Sequence, residues 1–220
     1  GLRNDINKDT AYVALVSSGD YSQGGTIGSV SRGEAIMTII KEIGYDAMAM
    51  GNHEFDYNVV HTMNLVGDYD APVVCANITD MKGNPVFAPY RICEYGTRKV
   101  GYIGVTTPNT YLSKPSAFQD TEGNSLYDFH RFDLYELVQK VVDEVRAKDA
   151  DYVIVLSHIG EDPDSIGITS HKLISATHGI DALFDGHTHS RVSPRKIKND
   201  RGEDVLLAQT GEFFKNAGQL

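Results

Sequence analysis

The sequence predicts an α/β fold, and two observations carry that expectation. Apolar runs of strand length alternate along the chain with segments whose apolar residues recur at helical spacing. Several of the strand-like runs end in a small residue followed at once by Asp, Asn or His. In open α/β sheets the carboxyl ends of strands are where ligands bind.

The elements follow in order. Tyr12–Ser18 (YVALVSS) reads as a buried strand ending at Gly19-Asp20. Ser31–Ile43 reads as a helix. Ser31 and Glu34 have the spacing of a capping box, Ala35, Ile36, Ile39, Ile40 and Ile43 form its apolar stripe, and Gly44 ends it. Gly24, Gly25 and Gly28 predict a tight turn before it; without a GK[ST] they do not make a phosphate loop of the Walker type. Ala47–Met50 is a short strand that delivers GNHE, and Val73–Ile78 and Val100–Thr106 are further strands. The stretch Ser113–Asp128 lacks periodicity and reads as a long surface loop. Phe132–Lys148 is the clearest helix, with Leu134, Leu137, Val138, Val141, Val142 and Val145 on its inward face. Tyr152–Leu156 is a strand leading to Ser157-His158, and Ile180–Phe184 is one leading to Asp185-Gly186-His187. Beyond Ser190, RKIKNDRGEDVLLAQT reads as a hairpin. No repeat, low-complexity tract or linker divides the chain.

Composition bounds the function. The chain has 220 residues, 41% of them hydrophobic, enough for a sizeable core. It carries 30 acidic residues against 20 Lys and Arg, a formal net charge of -10. Nucleic-acid binders show a basic patch, and none is visible, so a polymeric phosphate backbone is an unfavourable partner. A small phosphorylated molecule is compatible, because bound cations would supply positive charge. No apolar run approaches the ~18 residues of a membrane helix, and the opening GLRNDINKDT contains no signal-peptide core. Cys75 and Cys93 sit in apolar strand-like runs and read as two buried thiols.

Four segments share one pattern of apolar strand, small residue and ligand-type residue. They present Asp20 in SSGDYSQGG, Asn52 and His53 in GNHEFDYN, His158 in VLSHIG, and His187 and His189 in GHTH. One carboxylate, one amide and several imidazoles gathered at strand ends predict a dinuclear metal site. Carboxylate and imidazole suit zinc, manganese or iron. Glu54, beside His53, reads as a hydrogen-bonding partner behind the site. Asp185 is placed to orient either His187 or His189. His61, His130, His171 and His178 lie in polar or helical surroundings and read as surface side chains.

In this order, GDYSQGG, GNHEFDYN, SHIG and GHTH resemble the calcineurin-like metallophosphoesterases. SRGEAIMTIIKEIGYDAMAMGNHEFDYN resembles their 5'-nucleotidase branch, which also includes 2',3'-cyclic-nucleotide phosphodiesterases and UDP-sugar hydrolases, and LLAQTGEFFKNAGQL resembles the final strands of that branch's catalytic domain. The resemblance implies a four-layer α/β/β/α sandwich of two mixed sheets with helices outside. It implies two divalent metal ions, with Asp20 bridging them, Asn52, His158 and His187 completing one set, and His189 on the other ion. His53 would be the catalytic histidine with Asp56 orienting it, and Asn52 and His53 would face the substrate phosphoryl group. The implied activity is hydrolysis of a small phosphoester, foremost a nucleotide. Alternatives are a cyclic nucleotide, a nucleotide sugar, or a metal-binding fragment without turnover. The resemblance also implies an exported, periplasmic or cell-surface protein.

The family's first motif, Asp-x-His on an N-terminal strand, is not found. Asn4-Asp5-Ile6-Asn7 is set aside as a substitute, because only a handful of residues separate it from the strand at Tyr12, and a parallel crossover needs about a dozen or more. The family's second, substrate-binding domain is also missing. The expectation is therefore that residues 1–220 form a catalytic domain incomplete at its N-terminus, weakly active or inactive by itself.

Overall fold

The computed structural model describes residues 5–6, 10–162, 167–213 and 215–219. Asn4 and Asn7 of the set-aside motif lie outside them. In chain order the strands are β1 (Val16–Ser17), β2 (Ala47–Ala49), β3 (Val73–Val74), β4 (Thr79–Asp80), β5 (Tyr90–Tyr95), β6 (Arg98–Thr106), β7 (Tyr127–Asp128), β8 (Tyr152–His158), β9 (Ala182–Asp185), β10 (Arg191–Lys198) and β11 (Asp204–Thr210). The helices used below are α1 (Thr26–Ser31), α2 (Glu34–Ile43), α3 (Val59–Asp68), α4 (Asn109–Ser113), α5 (Leu134–Ala147) and α6 (Ser170–Ser175).

β1, β2 and β3 form a parallel three-stranded sheet. The second sheet runs β10-β11-β9-β8-β6-β5. Its inner pairs β11–β9, β9–β8 and β8–β6 are parallel, and both edges are antiparallel, so the sheet is mixed. β4 and β7 make a separate antiparallel ribbon.

Three apolar clusters stack these elements into four layers. Met37, Ile40, Val59 and Leu65 of α2 and α3 pack on Met48 and Val73 of the small sheet. Val138, Val141, Val142 and Val145 of α5, with Leu173 and Ile174 of α6, pack on Ile103, Val153, Val155 and Leu183 of the large one. Between the sheets lie Ala47, Ala49, Val74, Tyr102 and Leu156. The alanines let the sheets close, and Gly104 lets them touch: a Cβ there would overlap the Val74 carbonyl. This is the α/β/β/α sandwich that the resemblance implied, with the large sheet mixed and the small one parallel over its described strands. Among the described residues, no helix is long and apolar enough to cross a membrane.

Several local expectations need correction. The helix expected over Ser31–Ile43 begins only at Glu34, because Arg32 (φ 49°) and Gly33 (φ 92°) are left-handed and separate it from α1, which ends at Ser31. Ser31 Oγ accepts from Ala35 N–H at 3.2 Å and donates to Ile27 O at 2.7 Å, so it spans the break instead of forming a capping box. Gly28, expected in a turn, lies inside α1. α2 buries Met37 and Ile40, while Ile39 and Ile43 are each 48% exposed, so its inward face is rotated from the expected stripe.

The strand expected over Tyr12–Ser18 is paired only at Val16–Ser17, since Leu15 N–H is taken by the Asp46 carboxylate at 2.7 Å. The run from Val73 to Ile78 leaves the small sheet after Val74, when Cys75 N–H donates to Ala88 O and Ala76 N–H to Gly104 O, both at 2.8 Å. Ser113–Asp128 is not all surface. Phe118 in it is fully buried, 5.3 Å from the Phe55 ring and 4.8 Å from that of Phe129. Phe132 is solvent-exposed and precedes α5. Cys75 is buried as expected, and burial pushes its thiol up to about 12. Cys93 is only half-buried.

Candidate active site

The candidate site sits where the two sheets meet at the carboxyl ends of their strands. The small sheet delivers Asp20 just after β1 and Asn52 and His53 just after β2. The large sheet delivers His158 as the last residue of β8, and His187 and His189 just after β9. The chain turns sharply at these ends: Asp20 (φ 58°), His187 (φ 75°) and His189 (φ 57°) are all left-handed. Such backbone strain costs on the order of 1–3 kcal/mol per residue and clusters at functional sites.

Glu54 organises the Asp20 turn. It is 3% exposed, and its carboxylate accepts from four backbone N–H groups. Oε2 takes those of Asp20 (2.8 Å) and Gly51 (2.6 Å), and Oε1 takes those of Tyr21 (2.9 Å) and Ser22 (3.0 Å) along with the Ser22 hydroxyl (3.0 Å). This is the supporting role expected of it. Burial and the Asp20 charge push its carboxyl above the ordinary range, against the pull of those N–H donors. Gly51 must lack a side chain, since a Cβ there would overlap the Asp20 carboxylate.

Asp20 Oδ1 accepts from His53 N–H at 2.9 Å, and Oδ2 lies 3.0 Å from His158 Nε2. Burial opposes ionisation of Asp20, but His158 and His53 outweigh it and hold the carboxyl at about 2. Burial likewise opposes a charged His158, and the Asp20 carboxylate overrides it and raises that imidazole. His158 Nδ1 donates to Ser18 O at 2.6 Å, which fixes the ring. Its Nε2 is near enough to Asp20 for charge attraction but not directed for a hydrogen bond, so this buried nitrogen has no hydrogen-bond partner. His187 Nδ1 is 3.0 Å from Asn52 Oδ1, and the His158 and His187 rings are 5.2 Å apart. His53 Nδ1 is 2.9 Å from Asp56 Oδ2.

Asp20, Asn52, His53, Asp56, His158 and His187 are thus joined by direct contacts. His189 turns elsewhere: its Nδ1 is 3.1 Å from Glu212 Oε2 and its ring lies 5.5 Å from that of Phe213. Among the described residues, no group of three or more His, Cys, Asp or Glu side chains stands gathered around one point.

Asp185 answers the open question about its partner in a third way. Its carboxylate accepts from Gly160 N–H at 3.1 Å and lies 3.5 Å from Gln209 Nε2, tying the SHIG and GHTH turns together. Burial raises its carboxyl above the ordinary range. Three of the histidines expected at the surface are half-buried and paired. His61 Nε2 meets Arg32 O at 2.7 Å, His130 bridges Thr79 and Asp133, and His178 lies between Asp200 and Arg201. His171 is exposed.

Two supporting residues escaped the sequence reading. Gln209 Oε1 accepts from Ser190 N–H at 2.8 Å and holds the end of the GHTH turn. Lys114 forms an ion pair with Asp56 and donates to Asn52 O at 2.9 Å. Lys114 lies in no motif, and Gln209, though inside the closing segment that carries the resemblance, is not one of its ligand-type residues. Gln209 is an ordinary strand residue by pattern, and Lys114 falls in the aperiodic stretch.

Comparison with known proteins gives a consistent picture. Residues 2–191 match the family described as Calcineurin-like phosphoesterase. The chain is 28% identical over 238 residues to a snake venom 5'-nucleotidase of Gloydius brevicauda, covering 98% of this chain and 38% of that protein. It is 28% identical over 224 residues to a 2',3'-cyclic-nucleotide 2'-phosphodiesterase/3'-nucleotidase of Salmonella typhimurium, covering 92% and 33%. It thus spans well under half the length of these relatives. Among solved structures, a 5'-nucleotidase precursor from Thermus thermophilus superposes with a TM-score of 0.77 at 30% identity, over 96% of this chain and 42% of that one. With a matching sequence over most of its length and the same fold, the chain belongs to the calcineurin-like phosphoesterase family.

Proposed function

We propose that this protein is a metal-dependent hydrolase of small phosphoesters, with a nucleoside monophosphate as the foremost substrate. The carrying observation is the Asp20–His158 pair: a carboxylate held ionised against burial, facing a buried imidazole nitrogen that has no hydrogen-bond partner. A divalent cation fits there, because it would give that nitrogen a partner and share the carboxylate. Asn52 and His187 extend the donor set to four, with oxygen and nitrogen atoms that suit zinc, manganese or iron. His189 would serve a second cation with Asp20 as the shared ligand, after turning from Glu212. Two such ions, when bound, would lower the pKa of an attacking water and neutralise charge on the phosphoryl oxygens.

The chain's own residues supply the rest. Asn52, within this donor set, and His53, next to it in the chain, would face the phosphoryl group. Asp56 accepts from His53 Nδ1, which leaves Nε2 to carry the proton given to the departing oxygen. The net charge of -10 favours a small ligand over a polyanionic strand.

The test is phosphate release from a nucleoside monophosphate, a 2',3'-cyclic nucleotide, a nucleotide sugar and a plain phosphomonoester, with manganese or zinc added and then chelated. Metal-dependent release is expected, and His53→Ala should lower kcat by roughly 10²–10⁴-fold while keeping its metal. No release from any of the four by the full-length protein would remove the proposal. A second reading, a cyclic-nucleotide phosphodiesterase, draws support from the likeness to the Salmonella protein, and the same panel separates the two.

A further inference from the structure

We propose that Lys114 is a positioning residue for the His53–Asp56 pair, one ammonium that locks both the ring and the backbone of His53. This rests on the reading of that pair as the proton-donating couple. The Asp56 carboxylate is divided between two partners. Oδ2 receives His53 Nδ1 at 2.9 Å, and Oδ1 is paired with Lys114 Nζ. With both oxygens engaged, the carboxylate cannot rotate without breaking a charge-assisted contact, and the His53 ring plane follows it. The same ammonium donates to Asn52 O at 2.9 Å. That carbonyl belongs to the Asn52–His53 peptide, whose N–H donates to Asp20 Oδ1 at 2.9 Å. Lys114 therefore holds His53 from the side-chain end through Asp56 and from the main-chain end through the peptide.

The segment carrying Lys114 is built to keep it there. Lys114 N–H donates to Thr110 O at 3.2 Å at the end of α4, and Lys114 O accepts from Ala117 N–H at 3.0 Å in the next short helical turn. Just beyond, the buried Phe118 ring packs 5.3 Å from Phe55, which lies in the same short 3-10 helix as His53. The two segments are joined by an aromatic contact and an ionic one. Lys114 is 25% exposed and Asp56 18%, so solvent screens this pair less than a surface one. An ion pair that merely stapled two loops would not need to engage the carboxylate behind His53 and the carbonyl of the peptide before it.

The experiment compares the wild type with Lys114→Met, Lys114→Arg, Asp56→Asn and the Lys114→Met/Asp56→Asn double variant. The readouts are manganese-supported hydrolysis of p-nitrophenyl phosphate, thermal unfolding, and nitrogen NMR of the His53 ring in metal-free protein. Lys114→Met should lower kcat by about 10–100-fold, the usual cost of removing an outer partner of a functional group, with KM little changed. Lys114→Arg should restore most of it. In the Asp56→Asn background, Lys114→Met should cost almost nothing more, because its route to His53 is already cut. The ring NMR should show one Nδ1-protonated tautomer in the wild type and Lys114→Arg, and an average of the two in Lys114→Met.

Full additivity of the two substitutions, or an unaltered His53 tautomer in Lys114→Met, would overturn the proposal. Should Lys114→Met not fold, Lys114→Gln takes its place with the same expectations. A wild type inactive on every phosphoester but with the expected NMR pattern would count against the hydrolase reading and for the positioning link.

Discussion

Glu54 is the residue on which the candidate site's backbone hangs. Each of its two oxygens receives at least two donors, so neither can be replaced by an amide nitrogen without facing them. Glu54→Gln should therefore leave two buried N–H groups unpaired. At about 1–3 kcal/mol each, the loss should appear in chemical denaturation as a lowered midpoint with an unchanged slope. A variant as stable as the wild type would show that the N–H groups find other acceptors. On the metal side, His187→Ala should carry less zinc or manganese than the wild type by elemental analysis, whereas an equal content would remove His187 from the donor set. Most of this site is legible in the sequence, because Asp, Asn and His after apolar runs need a reason to be there. Glu54 is legible too, since a carboxylate beside His53 needs donors. Lys114 and Gln209 are not, because they act through space from segments whose patterns are ordinary.

Among the elements, the turns show how short polar loops are closed. Asp80 Oδ1 accepts from Lys82 and Asn84 N–H, with Oδ2 on the Asn84 amide, and Asp120 repeats this with Glu122 and Asn124. The β10–β11 turn reverses the polarity: Asn199 Oδ1 accepts from Arg201 and Glu203 N–H, and its amide donates to the Glu203 carboxylate. The Asn84 and Asn124 amides, with the turn N–H groups, hold Asp80 and Asp120 below their ordinary 3.8. A carboxylate with a depressed pKa in the fold stabilises it above the unfolded value and loses that contribution as pH falls through the folded one. Asp80→Asn/Asp120→Asn should thus melt below the wild type at pH 7, and the gap should close on acidification. A gap of constant size down to pH 3 would show that charge is not what closes these turns. The helix signals are read less well than the turns. Ser31–Ile43 looks like one amphipathic run, but two left-handed residues at Arg32 and Gly33 part Ser31 from α2, and Arg32 carries no sequence signal for φ 49°. Phe118 is hidden for a related reason: one aromatic in a polar stretch has no period, and only the facing Phe55 and Phe129 reveal its role.

At the scale of the whole molecule, the candidate site is a seam. Asp20, Asn52 and His53 ride on the small sheet, and His158 and His187 on the large one, so the spacing of the sheets sets the distances between donors. The alternation of elements made the α/β class legible, but nothing in a linear pattern states how closely two sheets approach. That is decided by small residues meeting across the gap, and Gly104 of β6 is the tightest case, lying against the Val74 carbonyl of β3. Gly104→Ala must push the sheets apart locally. Overpacking of this kind costs about 1–3 kcal/mol, which in a domain of this size is a fall in Tm of roughly 2–12 °C. The loss should not stop at stability. Thr106, two residues along β6, is in register with His158 on β8, so a shift of β6 is passed to a candidate donor on the large sheet while Asp20 stays with the small one. Gly104→Ala should therefore weaken zinc or manganese binding as well as lower Tm. Val142→Ala, in the α5 layer on the far side of the large sheet, should lower Tm without weakening binding. Calorimetric titration of both variants well below their melting temperatures decides the matter. Equal metal affinity in the two would mean that each sheet holds its donors independently, and that the seam does not tune the site.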